Sequence, residues 1–387
     1  MVRLAEPVGA IILLAGLVGT IGCYGTRAAG NPLDGLTSDQ RDGFKKGSAV
    51  FALVFTPQTG LGPLFNGVSC ASCHNQPVSG GNGAFTQVNA SVLRPNGFCD
   101  PLADRGGPVF QLSATPALKA ALGIDEEPIP AEAARGKRST PDLFGFGLLD
   151  AVPESTIRAL ADPGDANGDG ISGRVNRFFD GRVGRFGRKA LTPTLAEFSE
   201  GAFHVEQGLT VPNILIEGTV GGQPIPAGVD PSPEPEVSAE LIALTNAYVR
   251  SLAPAQPNDL DGTARRGQRT FSNIGCAKCH LPSLRTGDHP IKALANREFA
   301  PYTDLLLHDM GPELADICQG LVATPSEFRT EPLMALRLAR RYLHDGRASS
   351  IEEAVDLHGG EAARSRDAFR ALSASDRTAL LRFLSSL

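Results

Sequence analysis

Two stretches constrain this chain more than anything else in it: VSCASCHNQP at residues 68–77 and IGCAKCHLPS at residues 274–283. Each holds Cys-x-x-Cys-His, and about two hundred residues separate the copies. Zinc would need another pair of soft ligands near each copy, and none is at hand in the sequence. Thiol exchange has no need of a histidine, let alone twice. Covalent haem attachment uses all three residues. The thiols add to the two vinyl groups, the two-residue spacer fits one tight helical turn, and the adjacent histidine reaches the iron. The pattern therefore points to two covalently bound haem c groups, one on Cys70, Cys73 and His74 and the other on Cys276, Cys279 and His280.

The surroundings of the motifs repeat. Phe44, Gly47 and Phe51 lie at helical spacing before the first copy, and Gly267 and Phe271 repeat that arrangement before the second. Each region closes on an amphipathic helix. In SAELIALTNAYVRSL (238–252) the stripe reads Leu241, Leu244, Val249, Leu252; in SASDRTALLRFLSSL (373–387) it reads Leu380, Leu381, Phe383, Leu384. Ser238 and either Ser373 or Ser375 are the expected N-caps. The order helix, Cys-x-x-Cys-His, loops, closing helix is that of a c-type cytochrome domain, and it occurs twice. The expected fold is mainly α, with two cytochrome-c-like haem domains at 36–256 and 258–387, joined by APAQPNDLDG. The first is oversized and must hold a loop-rich insertion at about 110–235, including the Pro-rich GGQPIPAGVDPSPEPE as an exposed, irregular loop.

Composition agrees with a cofactor protein. There are 44 Gly and 29 Pro, only 6% aromatic residues and no Trp, so bound haem would supply apolar bulk that the side chains lack. A net charge of −6 offers no basic surface for nucleic acid and hints at a donor with a basic face. Residues 1–23 read as a signal peptide: Arg3, then the apolar run Val8 to Ile21, too short to span a bilayer comfortably. TIGC ends at Cys23 like a bacterial lipoprotein signal, with Thr20 ill suited to its first position, so a lipid anchor there is a further expectation. The expected location is the periplasm, with no transmembrane segment after export. Outside the leader and the motifs only Cys99 and Cys318 remain, and pairing or separate burial are both open.

The sixth iron ligands decide between carrier and enzyme, because an open position admits peroxide. Ser350–His358 reads as a helix with an acidic first turn at Glu352 and Glu353. Val355 and His358 then share one face, so His358 can face a haem, with Met310 as its rival. DANGDGISGRVN (165–176) places Asp165, Asn167 and Asp169 at alternate positions before Gly170. It is the first half of a calcium loop, with Asn176 where the closing Glu is expected.

Residues 265–387 resemble the C-terminal domain of the bacterial dihaem cytochrome c peroxidase/MauG group. There the distal ligand of the second haem follows a His-Asp-Gly histidine by fourteen residues; His344 plus fourteen is His358, where the peroxidases usually have Met and MauG has Tyr. Nearly the whole mature chain is closer to a narrower branch, the dihaem oxidoreductases of peroxidase type, through TPDLFGFGLLDAVPESTI (140–157), GRFGRKALTPTLAEF (184–198) and PYTDLLLHDMG (301–311). The resemblance implies a reactive first haem beneath a Leu-x-x-Gln and a catalytic Glu. Leu195 matches the Leu, Phe198 stands in place of the Gln, and Glu206 falls nearest the Glu. His204 would either close that iron or carry a proton. No histidine lies between 75 and 203, so the removable ligand of the group is missing. The inter-haem Trp is missing too. Arg188 stands near its place, leaving a route through Phe186 or Tyr248. The implied function is an exported peroxidase passing electrons from a small cytochrome or cupredoxin through the His280 haem to hydrogen peroxide at the His74 haem. A dihaem electron-transfer cytochrome without a substrate, or MauG-like oxidation of a partner protein, are the alternatives.

Overall fold

The computed structural model describes residues 29–320 and 322–387, so the leader and Cys23 lie outside the described residues. Eleven α-helices are found among them: α1 (Ser38–Phe51), α2 (Cys70–Cys73), α3 (Pro116–Leu122), α4 (Phe146–Asp150), α5 (Glu154–Leu160), α6 (Leu195–Gln207), α7 (Ala239–Ser251), α8 (Gly262–Asn273), α9 (Ile351–Asp356), α10 (Ala363–Arg370) and α11 (Ala374–Leu384). None is long and apolar enough to cross a membrane. The longer helices start where the sequence supplies a cap. Thr37 and Gln40 form a reciprocal capping box ahead of α1, Ser238 caps α7, Asp261 caps α8, and Ser373 rather than Ser375 caps α11.

Two helix pairs repeat one packing. α1 lies against α7, and α8 against α11. At each crossing a glycine lets the backbones touch: a methyl on Gly47 would sit 2.1 Å from the Leu244 carbonyl oxygen, and one on Gly267 1.9 Å from that of Ala379. One turn later an aromatic ring meets the motif histidine. Phe51 lies 6.2 Å from His74 and Phe271 lies 6.4 Å from His280, ring centre to ring centre. Tyr248 and Phe383 back those rings from the partner helices. On α7 the buried stripe is Thr245, Tyr248, Val249 and Leu252, with Leu241 and Leu244 only half-buried, so the face is rotated from the one expected. The mostly leucine reading overlooked Tyr248, whose ring is buried while its hydroxyl donates to the Ser79 carbonyl at 2.9 Å.

The chain is helix-rich, in keeping with the mainly α expectation, and it also carries some sheet. Thr86–Leu93 pairs antiparallel with Ala134–Ser139, Cys99–Asp100 and Val109–Phe110. This sheet begins well before residue 110. The central strand hid from its sequence because both faces are covered: Ala90 packs with Leu102 and Phe110, while Asn89 and Ser91 are buried on the other side. Within the Pro-rich segment Val229 is buried, while its other residues are exposed or half-buried. The sheet is tied to the second half by a Cys99–Cys318 disulfide, by an Arg138–Asp316 ion pair, and by the Ser139 N–H donating to the His344 carbonyl at 3.0 Å. The main core runs across both halves, joining Phe44, Phe51 and Leu252 to Leu284, Leu305 and Met334.

Candidate functional site

The two motif histidines are held alike. His74 Nδ1 lies 2.9 Å from the Pro141 carbonyl and 3.2 Å from that of Gly81; His280 Nδ1 lies 2.9 Å from the Tyr302 carbonyl. A ring nitrogen facing a carbonyl must carry the proton, which leaves Nε2 as the free, lone-pair-bearing atom in both. Burial lowers each imidazole to a pKa of about 4, so both are neutral at physiological pH. Burial also pushes the Cys70 and Cys276 thiols up to about 12. Such thiols are not the ready thiolates that exchange or zinc binding uses.

The first motif sits on α2, which Ser69 caps by accepting the Ser72 N–H. Against it comes the end of α6. Glu206 is half-buried there, with Asn66 Nδ2 donating to Oε2 at 2.9 Å and Gln87 Nε2 donating to Oε1 at 2.6 Å. Asn66 is itself fixed, because its Oδ1 accepts the Leu112 N–H. Burial raises the Glu206 carboxyl to about 7, only partly offset by the Asn66 hydrogen bond, and its charge acts on both Cys70 and Cys73. Gln207 reaches Cys70 Sγ at 3.8 Å through Nε2, while its Oε1 is buried with no hydrogen-bond partner. Sequence reasoning missed Asn66 and Gln87. The second could be found only from the strand, which sends Gln87, Asn89 and Ser91 to one face.

At the second motif a cavity of about 260 Å³ opens beside Cys276, Cys279 and His280. Met310, His344 and His358 line it as well. The helix carrying His358 is shorter than expected: α9 stops at Asp356, with Leu357 as its C-cap, and His358 lies just beyond. The residue still folds back, its N–H donating to the Val355 carbonyl and its Nδ1 lying 2.6 Å from the Ala354 carbonyl. That again frees Nε2. His358 is near enough to lower the pKa of His280, and burial lowers its own.

Between the two motifs stands a charged group, where the resemblance implied an aromatic one. Arg188 pairs with Glu331 at 2.7 Å and donates to the Ser139 carbonyl at 2.8 Å; Arg329 also donates to Glu331, at 2.7 Å. Burial alone would raise Glu331, but the two guanidiniums outweigh it and hold the carboxyl below its usual range. Asp142, next to the carbonyl that holds His74, is pushed up to about 7 by burial and by the Glu331 charge. Arg188 acts on His74 and Glu331 on His280, so this pair connects the two sites electrostatically.

Other expected residues are placed differently. His204 lies two residues before Glu206 on α6, on another face of the helix, and its Nδ1 lies 3.2 Å from the Leu209 carbonyl with Glu234 nearby. Phe198 is 41% exposed. The loop at 165–170 uses its side chains as turn acceptors: Asp165 accepts from Asp169 and Gly170, Asn167 from Asp169, and Asp169 from Ile171 while pairing with Lys278 at 3.1 Å. These contacts form nested Asx-turns within the loop.

The model of a protein family described as "Di-haem oxidoreductase, putative peroxidase" matches residues 129–387. No curated protein sequence matches the chain. Among solved structures, the hydrazine synthase of Kuenenia stuttgartiensis is 14% identical, with a TM-score of 0.42, over 99% of this chain and 100% of that one. A MauG-like protein associated with microbial copper homeostasis is 16% identical, with a TM-score of 0.36, over 93% of each chain. The diheme peroxidase BthA of Burkholderia thailandensis is 16% identical, with a TM-score of 0.42, over 93% of this chain and 87% of that one.

Proposed function

The chain belongs to the di-haem oxidoreductase, putative peroxidase, family and is a haem-dependent oxidoreductase; on that premise we propose that it is an exported peroxidase, reducing hydrogen peroxide at the His74 site with electrons that enter at the His280 site. In this reading 36–256 and 258–387 are two cytochrome-c-like haem domains, the first carrying the sheet as its insertion. The leader sends the mature protein to the periplasm, where a small cytochrome or cupredoxin is the donor.

The residues present fit two haems c. Each motif offers two neutral, half-buried thiols and a neutral imidazole whose Nε2 is free. A cavity adjoins the second motif, and the buried Gln207 Oε1 lacks a partner beside the first. Cys70, Cys73 and His74 would hold one haem, and Cys276, Cys279 and His280 the other, with His358 offering a further imidazole to it from the same cavity. Bound haem supplies electron storage and an iron at which the peroxide O–O bond can be broken.

The observation that carries the proposal is the setting of Glu206. A half-buried carboxyl with a pKa of about 7 can take a proton at one peroxide oxygen and return it to the departing one. Asn66 and Gln87 grip both of its oxygens, so it stays aimed as it gains and loses charge. His204 lies on a different face of α6 from Glu206, and this supports an accessible first iron over a closed electron carrier. Arg188 and Glu331 provide a polar connection between the sites in place of an aromatic side chain.

Low-temperature electron paramagnetic resonance of the ferric protein tests the proposal. A high-spin signal that disappears with hydrogen peroxide is expected. Two low-spin signals indifferent to peroxide would instead make the chain an electron carrier.

A further inference from the structure

One buried charged group is used by nothing described so far. His308 lies on the short strand Leu307–Asp309, in PYTDLLLHDMG, and its side chain is 4% exposed. Its Nε2 lies 2.8 Å from Asp304 Oδ2 and its Nδ1 lies 2.7 Å from Glu361 Oε2. The same Nδ1 is 3.7 Å from Cys279 Sγ.

Both ring nitrogens therefore face carboxylate oxygens. A neutral imidazole has one N–H and would leave one of these contacts as two lone pairs opposed; only the imidazolium donates to both. The carboxylates are held in turn. Asp304 Oδ1 accepts the Leu306 N–H at 2.9 Å, and Glu361 accepts from the Ser172 hydroxyl at 2.7 Å and the Ser172 N–H at 3.0 Å. Gly173 lies against the ring, where a methyl would come within 2.7 Å of Cε1. Three chain segments thus fix one positive charge beside the second motif. Buried charges are costly and persist where they are paired in this way.

We infer that His308 is a positioning residue for the second site: an imidazolium clamped between Asp304 and Glu361, whose charge beside Cys279 sets the reduction potential of the haem held at His280. The inference rests on the haem attachment proposed above. A fixed positive charge near a haem favours its reduced state and raises the potential, while each carboxylate of the clamp lowers it. Cys279 brings the charge to the edge of the haem, and no proton needs to move.

The test is spectroelectrochemical titration of the full-length haem-loaded protein at pH 8, with each haem followed separately and covalent attachment checked by mass. His308→Asn should shift the potential of the second haem downward. Glu361→Gln keeps the hydrogen-bonding shape, removes a negative charge and should shift it upward. The first haem should not move in either variant. Opposite shifts from two neighbouring substitutions are not what a merely structural role produces. If His308→Asn does not accumulate, Glu361→Gln still decides the question. An unmoved second potential with both haems attached would overturn the inference and leave the attachment reading standing. Stoichiometric zinc that depends on His308 would overturn the inference and, with it, attachment at Cys279, given how closely Cys279, Asp304 and His308 approach one another. A wild-type protein without covalent haem would overturn both.

Discussion

Gln87 donates its side-chain amide to Glu206 at 2.6 Å, joining residues 119 positions apart. With Asn66 on the other oxygen, the strand and the helix that carry these side chains fix the carboxyl to one place. Replacing Glu206 by Gln should lower the peroxide turnover rate by about 10²–10⁴-fold, the range that positioned proton transfer contributes. Gln87→Leu leaves the carboxyl but loosens it, and should cost about tenfold, as expected for one hydrogen bond to a charged group. Steady-state kinetics with both haems loaded would show this ordering. Equal losses in the two variants would mean that Glu206 acts only through structure.

The same carboxyl gives the activity an acid limb. Burial holds Glu206 at about 7, and it must be ionised to accept a proton. The specificity constant for peroxide should therefore rise with pH up to about 7 and then level off, and the limb should vanish in Glu206→Gln. The effect on stability runs the other way. A folded pKa above the ordinary 4.5 means that the neutral form is preferred in the native state. The associated stability is complete below about pH 4.5 and is lost as pH rises through 7, about 3 kcal/mol in all. Denaturant melts at several pH values would check it, with Glu206→Gln as the pH-insensitive reference.

His358 and Met310 both line the cavity beside His280, so spectra can tell them apart. His358→Ala should convert a low-spin signal to high spin, whereas Met310→Leu should leave it unchanged. His358→Met should raise the potential of that haem, since a His/Met pair holds iron at higher potential than a His/His pair. A spectrum altered by Met310→Leu and not by His358→Ala would exchange their roles.

How far the sequence carried depends on the range of the interaction. The motif triplets, the glycines of the helix crossings and the rings at Phe51 and Phe271 were legible, because helical spacing and a short covalent signature are local. Asn66 and Gln87 were not legible, since nothing near them in sequence signals that two amides will meet a carboxyl on α6. His204 was misjudged for a related reason: proximity to Glu206 along the chain says little when two residues on a helix point about 200° apart. The α7 stripe was read from leucines, and the fold chose Tyr248, whose hydroxyl finds the Ser79 carbonyl. The 165–170 loop was read by its acidic spacing, which serves a calcium loop and an Asx-turn equally well. The backbone N–H groups that donate to those oxygens were not legible from that spacing.

The repeated helix crossings predict matched penalties. At Gly47 and Gly267 an added methyl would fall about 2 Å from a carbonyl oxygen of the facing helix, far inside contact distance. Neither helix can move without disturbing a ring packed on a motif histidine. Gly47→Ala and Gly267→Ala should each destabilise by about 1–3 kcal/mol or more, measured by thermal melting. Each should also perturb the absorption spectrum of its own haem alone. A Gly47→Ala change that alters the second haem instead would mean that the two crossings are not independent supports.

The Cys99–Cys318 disulfide should matter more than either crossing. It joins positions 219 apart, one on the sheet inserted in the first half and one beside the Asp316 that Arg138 holds from the same sheet. Cys318 is 2% exposed, so the bond is sheltered on that side. Closing so long a loop restricts the unfolded chain strongly, and its removal should cost about 2–5 kcal/mol. The double Cys99→Ser, Cys318→Ser variant should melt well below the wild type, and reductant should lower the wild type toward it without affecting the variant. Cys318→Ser alone should be the worst case, because it frees the Cys99 thiol for wrong pairing with the motif cysteines during haem attachment. If that single variant loads haem as fully as the double one, the disulfide supports the fold and has no part in protecting the motif thiols.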